Sequence, residues 1–134
     1  MDNIHPGIAG EQVTTVTPEV TARHLGSGGV SVFATPAMIA LMETAAVVAI
    51  DHLLPEGEAS VGTAISVRHL AATPVRQMVR ARAEVTAVNG REIRFRVEAW
   101  DEHELIGEGE HTRFVVTLDR FAERLAIGKP AVGL

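Results

Sequence analysis

Residues 35–50 read TPAMIALMETAAVVAI, and this apolar stretch decides the fold. A threonine followed by proline is typical of a helix start, so Thr35 is predicted to cap a helix and Pro36 to occupy its first position. The predicted helix continues from Ala37 to Leu54 with apolar side chains on all sides, which is typical of a helix buried in a core. The stretch is shorter than the ~20 residues of a membrane span, so we expect a soluble protein with no membrane partner.

The segments around this helix predict β-strands. Asn89-Gly90 favours a two-residue hairpin turn between two of them. The predicted elements are a weak strand at Gln12–Val20, strands at Ser60–Leu70, Val79–Ala87, Ile93–Ala99 and Ile106–Leu118, and a short helix at Asp119–Ile127. The expected fold is α+β, with four strands in a meander after the helix and one sheet wrapped around it. Gly107 and Gly109 are candidates for letting the helix approach the sheet closely, although each could equally just weaken its strand.

Composition limits the possible functions. The chain has 134 residues, 46% of them hydrophobic, a net charge of −5 and no cysteine. These values predict one domain, 1–134, and no nucleic-acid partner. The absence of cysteine excludes disulfides and is compatible with a cytoplasmic location, and residues 1–10 show no signal-peptide pattern. No two of the six histidines have convincing metal-ligand spacing, so we predict no metal.

Glu43 is the only ionisable residue between Thr35 and Ile50. A buried carboxylate is costly unless it is neutral, paired or open to a cleft. Burial would raise its pKa and suit it to acid–base chemistry. A gap to solvent or a structural hydrogen bond explains the residue about as well.

Thr35 and His69 are the other candidates for chemistry. Besides capping, Thr35 would stand beside the free N–H groups of a helix N-terminus, which can stabilise an oxyanion. It is about 12 Å from Glu43 along the helix, so a substrate would have to lie between them. His69 is predicted to share an apolar strand face with Val61, Thr63, Ile65 and Val67. It is either a packed core histidine or a proton carrier facing a cleft.

Three separated blocks resemble the fluoroacetyl-CoA thioesterase family of hot-dog proteins. They read VFATPAMIALMETA from residue 32, VGTAISVRHLAATP from residue 61 and IGEGEHTRFVV from residue 106. The resemblance covers about Val13 to Phe121. It implies a hot-dog fold, with a five-stranded antiparallel sheet around a long central helix. It also implies a homodimer or higher oligomer with sites at the subunit interface and a catalytic group at Thr35, Glu43 and His69.

The same resemblance places Gly62 and Arg113 at the substrate, and we add Phe33 from the first block. One departure concerns a lid. The fluoroacetate-specific enzyme has a longer segment with a phenylalanine before its VFAT, whereas residues 26–31 here read GSGGVS. We therefore expect an acyl group other than fluoroacetyl.

The predicted function is hydrolysis of an acyl-CoA, with coenzyme A entering only as part of the substrate and no cofactor. His69 would act as general base or activate the nucleophile, Glu43 would attack or orient water, and Thr35 would position the thioester. Two alternatives remain open, because a fold does not fix a chemistry: a hydratase or dehydratase, and a non-catalytic acyl-CoA or small-ligand binding module. Candidate cations for the coenzyme A phosphates, each equally explained as a solvated strand face, are Arg76, Arg80, Arg82, Arg91, Arg94 and Arg96.

Overall fold

One antiparallel sheet carries the long helix on its inner face. The computed structural model describes residues 2–131, so residue 1 and residues 132–134 of the predicted single domain lie outside the described part. The elements are β1 (Ala9–Thr15), α1 (Ala22–Leu25), α2 (Thr35–Ile50), β2 (Glu58–His69), β3 (Met78–Asn89), β4 (Glu92–Trp100), β5 (Leu105–Thr117) and α3 (Leu118–Gly128). The α+β prediction with five strands around a helix is confirmed.

The long helix begins one residue earlier than predicted. Ala34, not Thr35, is the N-cap, and no side chain makes a capping hydrogen bond. Thr35 is therefore the first helical residue, and its predicted capping role is wrong. After Ile50 the chain continues as a 3₁₀ turn, Asp51–Leu53.

The helix is buried on one side only, which corrects the prediction of a helix buried all round. Its buried side chains are Met38, Leu41, Met42, Ala45, Ala46, Ala49 and Ile50. Thr44 and Val48 lie on the exposed side. Helix and turn together, Thr35–Leu53, are long and apolar enough to span a membrane by composition. The apolar residues on the buried side of the helix are explained by their packing against the sheet.

Two glycines let the helix lie close to the sheet. A Cβ on Gly10 of β1 would lie 2.5 Å from both the carbonyl oxygen of Ala45 and the backbone nitrogen of Ala49. A Cβ on Gly107 of β5 would lie 2.5 Å from the sulfur of Met38, which confirms the predicted close approach there. A Cβ on Gly109 would instead clash with the neighbouring strand β2, so this glycine makes room for strand packing rather than for the helix.

The strand order is β1-β3-β4-β5-β2. The meander therefore covers β3, β4 and β5 only, and the prediction of a four-strand meander is wrong. Sequential strands usually pair, but β2 pairs with β5, and the chain crosses to the far side of the sheet before β3 begins. As a result β1 and β2 form the two edges.

A β-bulge in β2 decides which of its side chains face the helix. Gly62 is opposite Arg113 and Ala64 is opposite Thr112, so Thr63 is the extra residue. Strict alternation would have put Val61 and Thr63 on the face of His69, as predicted. The bulge instead places Ser60 and Gly62 there.

The predicted hairpin between β3 and β4 is present, but its two-residue turn is shifted by one residue. Asn89 pairs with Glu92, so the two loop residues are Gly90 and Arg91. Gly90 supplies the positive φ, 62°, that a tight hairpin requires. The first strand was predicted at Gln12–Val20. The observed strand β1 ends at Thr15, because the chain enters a 3₁₀ turn at Pro18.

Candidate active site

Thr35 and His69 lie in direct contact. The Oγ1 atom of Thr35 is 2.7 Å from Nδ1 of His69, which ends β2 beside the first turn of α2. Because Ala34 is the N-cap, the threonine hydroxyl is free to donate to the imidazole when the ring proton is on Nε2. The Nε2 atom is buried and has no hydrogen-bond partner within residues 2–131.

Burial lowers the pKa of His69 below its ordinary value, and the nearby backbone of Ala71 opposes this shift in part. A lowered pKa keeps the imidazole neutral at pH 7, which is the form that accepts a proton. A hydroxyl hydrogen-bonded to a neutral imidazole is the arrangement used to activate hydroxyl or water nucleophiles.

A cavity of about 310 Å³ opens beside this pair, and its walls include Phe33, Ser27 and Leu70. Phe33 is buried and forms part of the wall. Within α2, the amide of Met38 bonds back to Ala34. The N–H groups of Thr35 and Ala37 therefore have no helical acceptor, and Pro36 has no N–H. Neither amide has a hydrogen-bond acceptor within residues 2–131.

Glu43 lies with Gly62 and Arg113. Its Oε2 atom is 3.7 Å from Nη1 of Arg113, and its side chain is 42% exposed, so in the single chain the carboxylate is paired and partly open to solvent. A Cβ on Gly62 would lie 2.6 Å from Glu43 Oε2, so a glycine is needed for the carboxylate to rest on β2.

Arg113 is buried and held by three hydrogen bonds. Its Nε donates to Ser60 Oγ at 2.7 Å and its Nη2 to the Ser60 carbonyl at 3.0 Å. Nη1 lies 3.1 Å from Nε2 of His111, whose Nδ1 lies 2.8 Å from the Ala64 carbonyl. The carbonyl can only accept, so His111 carries its proton on Nδ1 and accepts from Arg113. Burial lowers the pKa of His111 and is the main cause of the shift. The charge of Arg113 also lowers this pKa, whereas the hydrogen bond from His111 to the Ala64 carbonyl raises it.

The single chain forms two separate groups rather than one catalytic group. Thr35 meets His69, and Glu43 meets Gly62 and Arg113. Gly62 and His69 pair with Arg113 and Gly107 of β5, which are six residues and about 20 Å apart.

Sequence reasoning missed Ser60, His111 and Asp51, which hold Arg113 directly or through Ser60. His111 could have been found, because it shares the two-residue period of Arg113 in the same strand. Ser60 could not, because the bulge reverses its predicted face.

Five of the six candidate arginines form ion pairs with acidic neighbours, which favours the interpretation of a solvated strand face. The pairs are Arg80–Glu11, Arg82–Glu11, Arg82–Glu84, Arg91–Glu58, Arg94–Glu92, Arg96–Glu98 and Arg96–Glu108. Within residues 2–131, no three histidine, aspartate or glutamate side chains are grouped as metal ligands.

A long helix lying on a five-stranded antiparallel sheet is the hot-dog fold, which the chain shares with solved members of the thioesterase superfamily. The family model described as fluoroacetyl-CoA-specific thioesterase matches residues 16–119. The chain belongs to this family and is a thioester hydrolase.

Individual relatives agree with this assignment. The chain is 41% identical over 131 residues to the fluoroacetyl-CoA thioesterase of Streptantibioticus cattleyicolor, covering 91% of this chain and 94% of that protein. A variant of a fluoroacetyl-CoA thioesterase solved with acetyl-CoA superposes with a TM-score of 0.88 at 38% identity, covering 95% of this chain and 100% of the other. A thioesterase superfamily member from Thermus thermophilus gives 0.89 at 33% identity, covering 96% of each chain. Neither the hydratase nor the binding-module alternative gains support.

Proposed function

We propose that this protein hydrolyses acyl-CoA thioesters at a site assembled from two copies of the chain. The observation that carries the proposal is the 2.7 Å contact between Thr35 Oγ1 and His69 Nδ1 at the open end of α2. The solved relative with bound acetyl-CoA supports a coenzyme A thioester as the substrate. The nucleotide part of coenzyme A belongs to the substrate, and the reaction uses no cofactor.

In this mechanism the thioester carbonyl lies against the free amides of Thr35 and Ala37, which stabilise the oxyanion as it forms. His69, neutral because burial lowers its pKa, takes a proton through the Thr35 hydroxyl or from water. Glu43 either attacks the carbonyl or orients the attacking water. When water attacks, collapse of the tetrahedral intermediate releases the carboxylic acid and the thiolate of coenzyme A, which takes up the proton from His69. When Glu43 attacks, collapse releases the thiolate and leaves an acyl anhydride on Glu43, which water then hydrolyses to the carboxylic acid and the free carboxylate.

The second copy would join at the edge strand β2. This edge has 12 residues, against seven in β1 at the opposite edge. A long open edge leaves a row of unpaired backbone groups that another strand can pair with. The exposed side of α2, which includes Val48, also needs a cover that one small sheet does not provide.

Pairing two β2 strands antiparallel would unite the separated groups. With a two-fold axis between the two copies of Ser66, and with Thr63 again bulged out of the pairing, Gly62 would stand opposite His69 of the partner subunit. Paired strands are about 4.8 Å apart. Because Glu43 rests on Gly62 and Thr35 contacts His69, the carboxylate of one chain would face the hydroxyl–imidazole pair of the other.

We further propose that fluoroacetyl-CoA is not the preferred substrate and that the protein works in the cytoplasm. The cavity beside Thr35 is bordered by Ser27 of the short glycine-rich loop, and no aromatic side chain from that loop closes it. Phe33 lines the wall of the cavity instead. The absence of cysteine is compatible with a reducing compartment.

A thiol-release screen over short, branched, aromatic and long acyl-CoAs, run beside an enoyl-CoA hydration assay, tests the proposal. We expect thiol release for at least one acyl-CoA, and a loss of about 100-fold or more in kcat/KM for Glu43→Gln and for His69→Ala. Thr35→Ser should keep most of the activity and Thr35→Ala should not, because only serine retains the hydroxyl.

His103→Ala, at an exposed turn, is the matched histidine control. Full hydrolysis by both Glu43→Gln and His69→Ala would refute the proposed catalytic group. Hydration without thiol release would favour the hydratase alternative, and saturable binding without turnover would favour a binding module.

A further inference from the structure

A chain of hydrogen-bonded polar groups, two of them buried, lies behind Glu43 and has no part in the mechanism above. Ser60 is 7% exposed, and its Oγ donates to Asp51 Oδ1 at 2.6 Å. The backbone N–H of Ser60 donates to the other carboxylate oxygen of Asp51 at 3.3 Å. The same Ser60 Oγ accepts from Arg113 Nε, so Asp51, Ser60 and Arg113 form one continuous chain, called here the Asp51–Ser60–Arg113 chain.

The hydrogen bonds of this chain fix the direction of the guanidinium. Arg113 uses Nε and one N–H of Nη2 on Ser60, and one N–H of Nη1 on His111. The second N–H of Nη1 remains for the carboxylate of Glu43, 3.7 Å away. A planar guanidinium held at three points cannot rotate without breaking several bonds at once. It therefore presents a fixed positive edge to a half-exposed acid.

Charge supports the same arrangement. Burial lowers the pKa of Arg113, and the negative charges of Asp51 and then Glu43 oppose that shift. Asp51 thus compensates the buried cation more than Glu43 does. A buried charge lacking a partner is costly, so without Asp51 the positive charge of Arg113 would be compensated mainly by Glu43.

We infer that Asp51 and Ser60 are positioning residues for the thioesterase reaction, which hold Arg113 so that it fixes the carboxylate of Glu43 on Gly62. The inference rests on the proposed function, because it assumes that Glu43 acts on the thioester. Neither residue touches the substrate in this view. Their effect reaches the reaction through the direction of Arg113.

Ser60→Ala and Asp51→Asn test the inference. Ser60→Ala removes the acceptor for Arg113 Nε, and Asp51→Asn keeps the shape of the side chain while removing its charge. We expect kcat to fall by about 10- to 100-fold in each, since small misplacements of a reacting group cost this much, with KM changed less than about twofold. Ser60→Thr, which keeps the hydroxyl, should recover most of the kcat lost in Ser60→Ala.

A variant with a comparable loss of stability separates positioning from folding. Val79 lies fully buried in β3, which borders β1 and β4 rather than β2, so Val79→Ala lowers the melting temperature without touching the polar chain. It should keep kcat per folded protein. Normal kcat in Ser60→Ala and Asp51→Asn, beside a strong loss in Glu43→Gln, would overturn the inference and leave the proposed function intact. Full activity in Glu43→Gln would also overturn the inference, and full activity in both Glu43→Gln and His69→Ala would overturn the proposed catalytic group as well.

Discussion

At the scale of single residues, the geometry of the site depends on which residue is the N-cap of α2. If Thr35 were the N-cap, its hydroxyl would accept a hydrogen bond from a backbone amide of the first turn. Since Ala34 takes that place, the hydroxyl turns to His69. The imidazole in turn is shielded from solvent enough that its charged form is disfavoured.

The direction of this pKa shift predicts the pH dependence of hydrolysis. Desolvation lowers the pKa of His69 below the ordinary 6.5, so the neutral base persists at pH values where an exposed histidine would be protonated. We expect the acid limb of kcat/KM to have its midpoint below pH 6.5. The pH–rate profile from pH 4.5 to 8 measures it, and a limb centred above pH 7 would contradict the assignment of His69 as the base.

At the scale of elements, the position of α2 against the sheet sets the distance between its side chains and β2. That position depends on backbone contact at Gly10, where the helix carbonyl of Ala45 leaves no room for a side chain. The existence of the helix was predictable from its long apolar run, but its buried side was not, because apolar residues occur on all sides of it. The bulge at Thr63 was not, because nothing in VGTAIS distinguishes a bulged strand from a regular one.

Gly10→Ala is expected to lower the free energy of unfolding by about 1–3 kcal/mol, because the new methyl group would meet backbone atoms of α2 that cannot move aside singly. Gly29→Ala is the matched control, since a Cβ there meets nothing within 4 Å and its φ is not positive. Urea unfolding of both variants gives the comparison. Equal stabilities would show that the helix does not pack on Gly10 as closely as described.

At the scale of the whole molecule, one chain leaves the candidate site in two parts, and the proposed second copy joins them. The length of the β2 edge and the exposed side of α2 both indicate the same contact. The strand order leaves β2 at an edge, where a second chain can pair with it. In a simple meander β2 would lie between β1 and β3 and would have no free edge.

Ser66→Lys should weaken the dimer and the activity together. Ser66 is exposed and lies beside the proposed two-fold axis, so the two new charges would face each other and repel. Gln12→Lys adds the same charge to the other edge strand, β1, and should leave assembly unchanged. Analytical ultracentrifugation at micromolar concentration, with thiol release on the same samples, measures both. A native chain that sediments as a clean monomer would contradict the two-copy site.

The sequence by itself determined the fold class, the long helix, the β3–β4 hairpin and the family, because these follow from local hydrophobic period, turn residues and matching blocks. It also singled out Thr35, Glu43 and His69 as candidates. The tertiary structure alone decided that β2 lies at the edge, that Ser60 faces inward and that Arg113 is pinned beside Glu43. The reason is physical: strand order and bulges depend on contacts between residues far apart in the chain, and local alternation does not encode them.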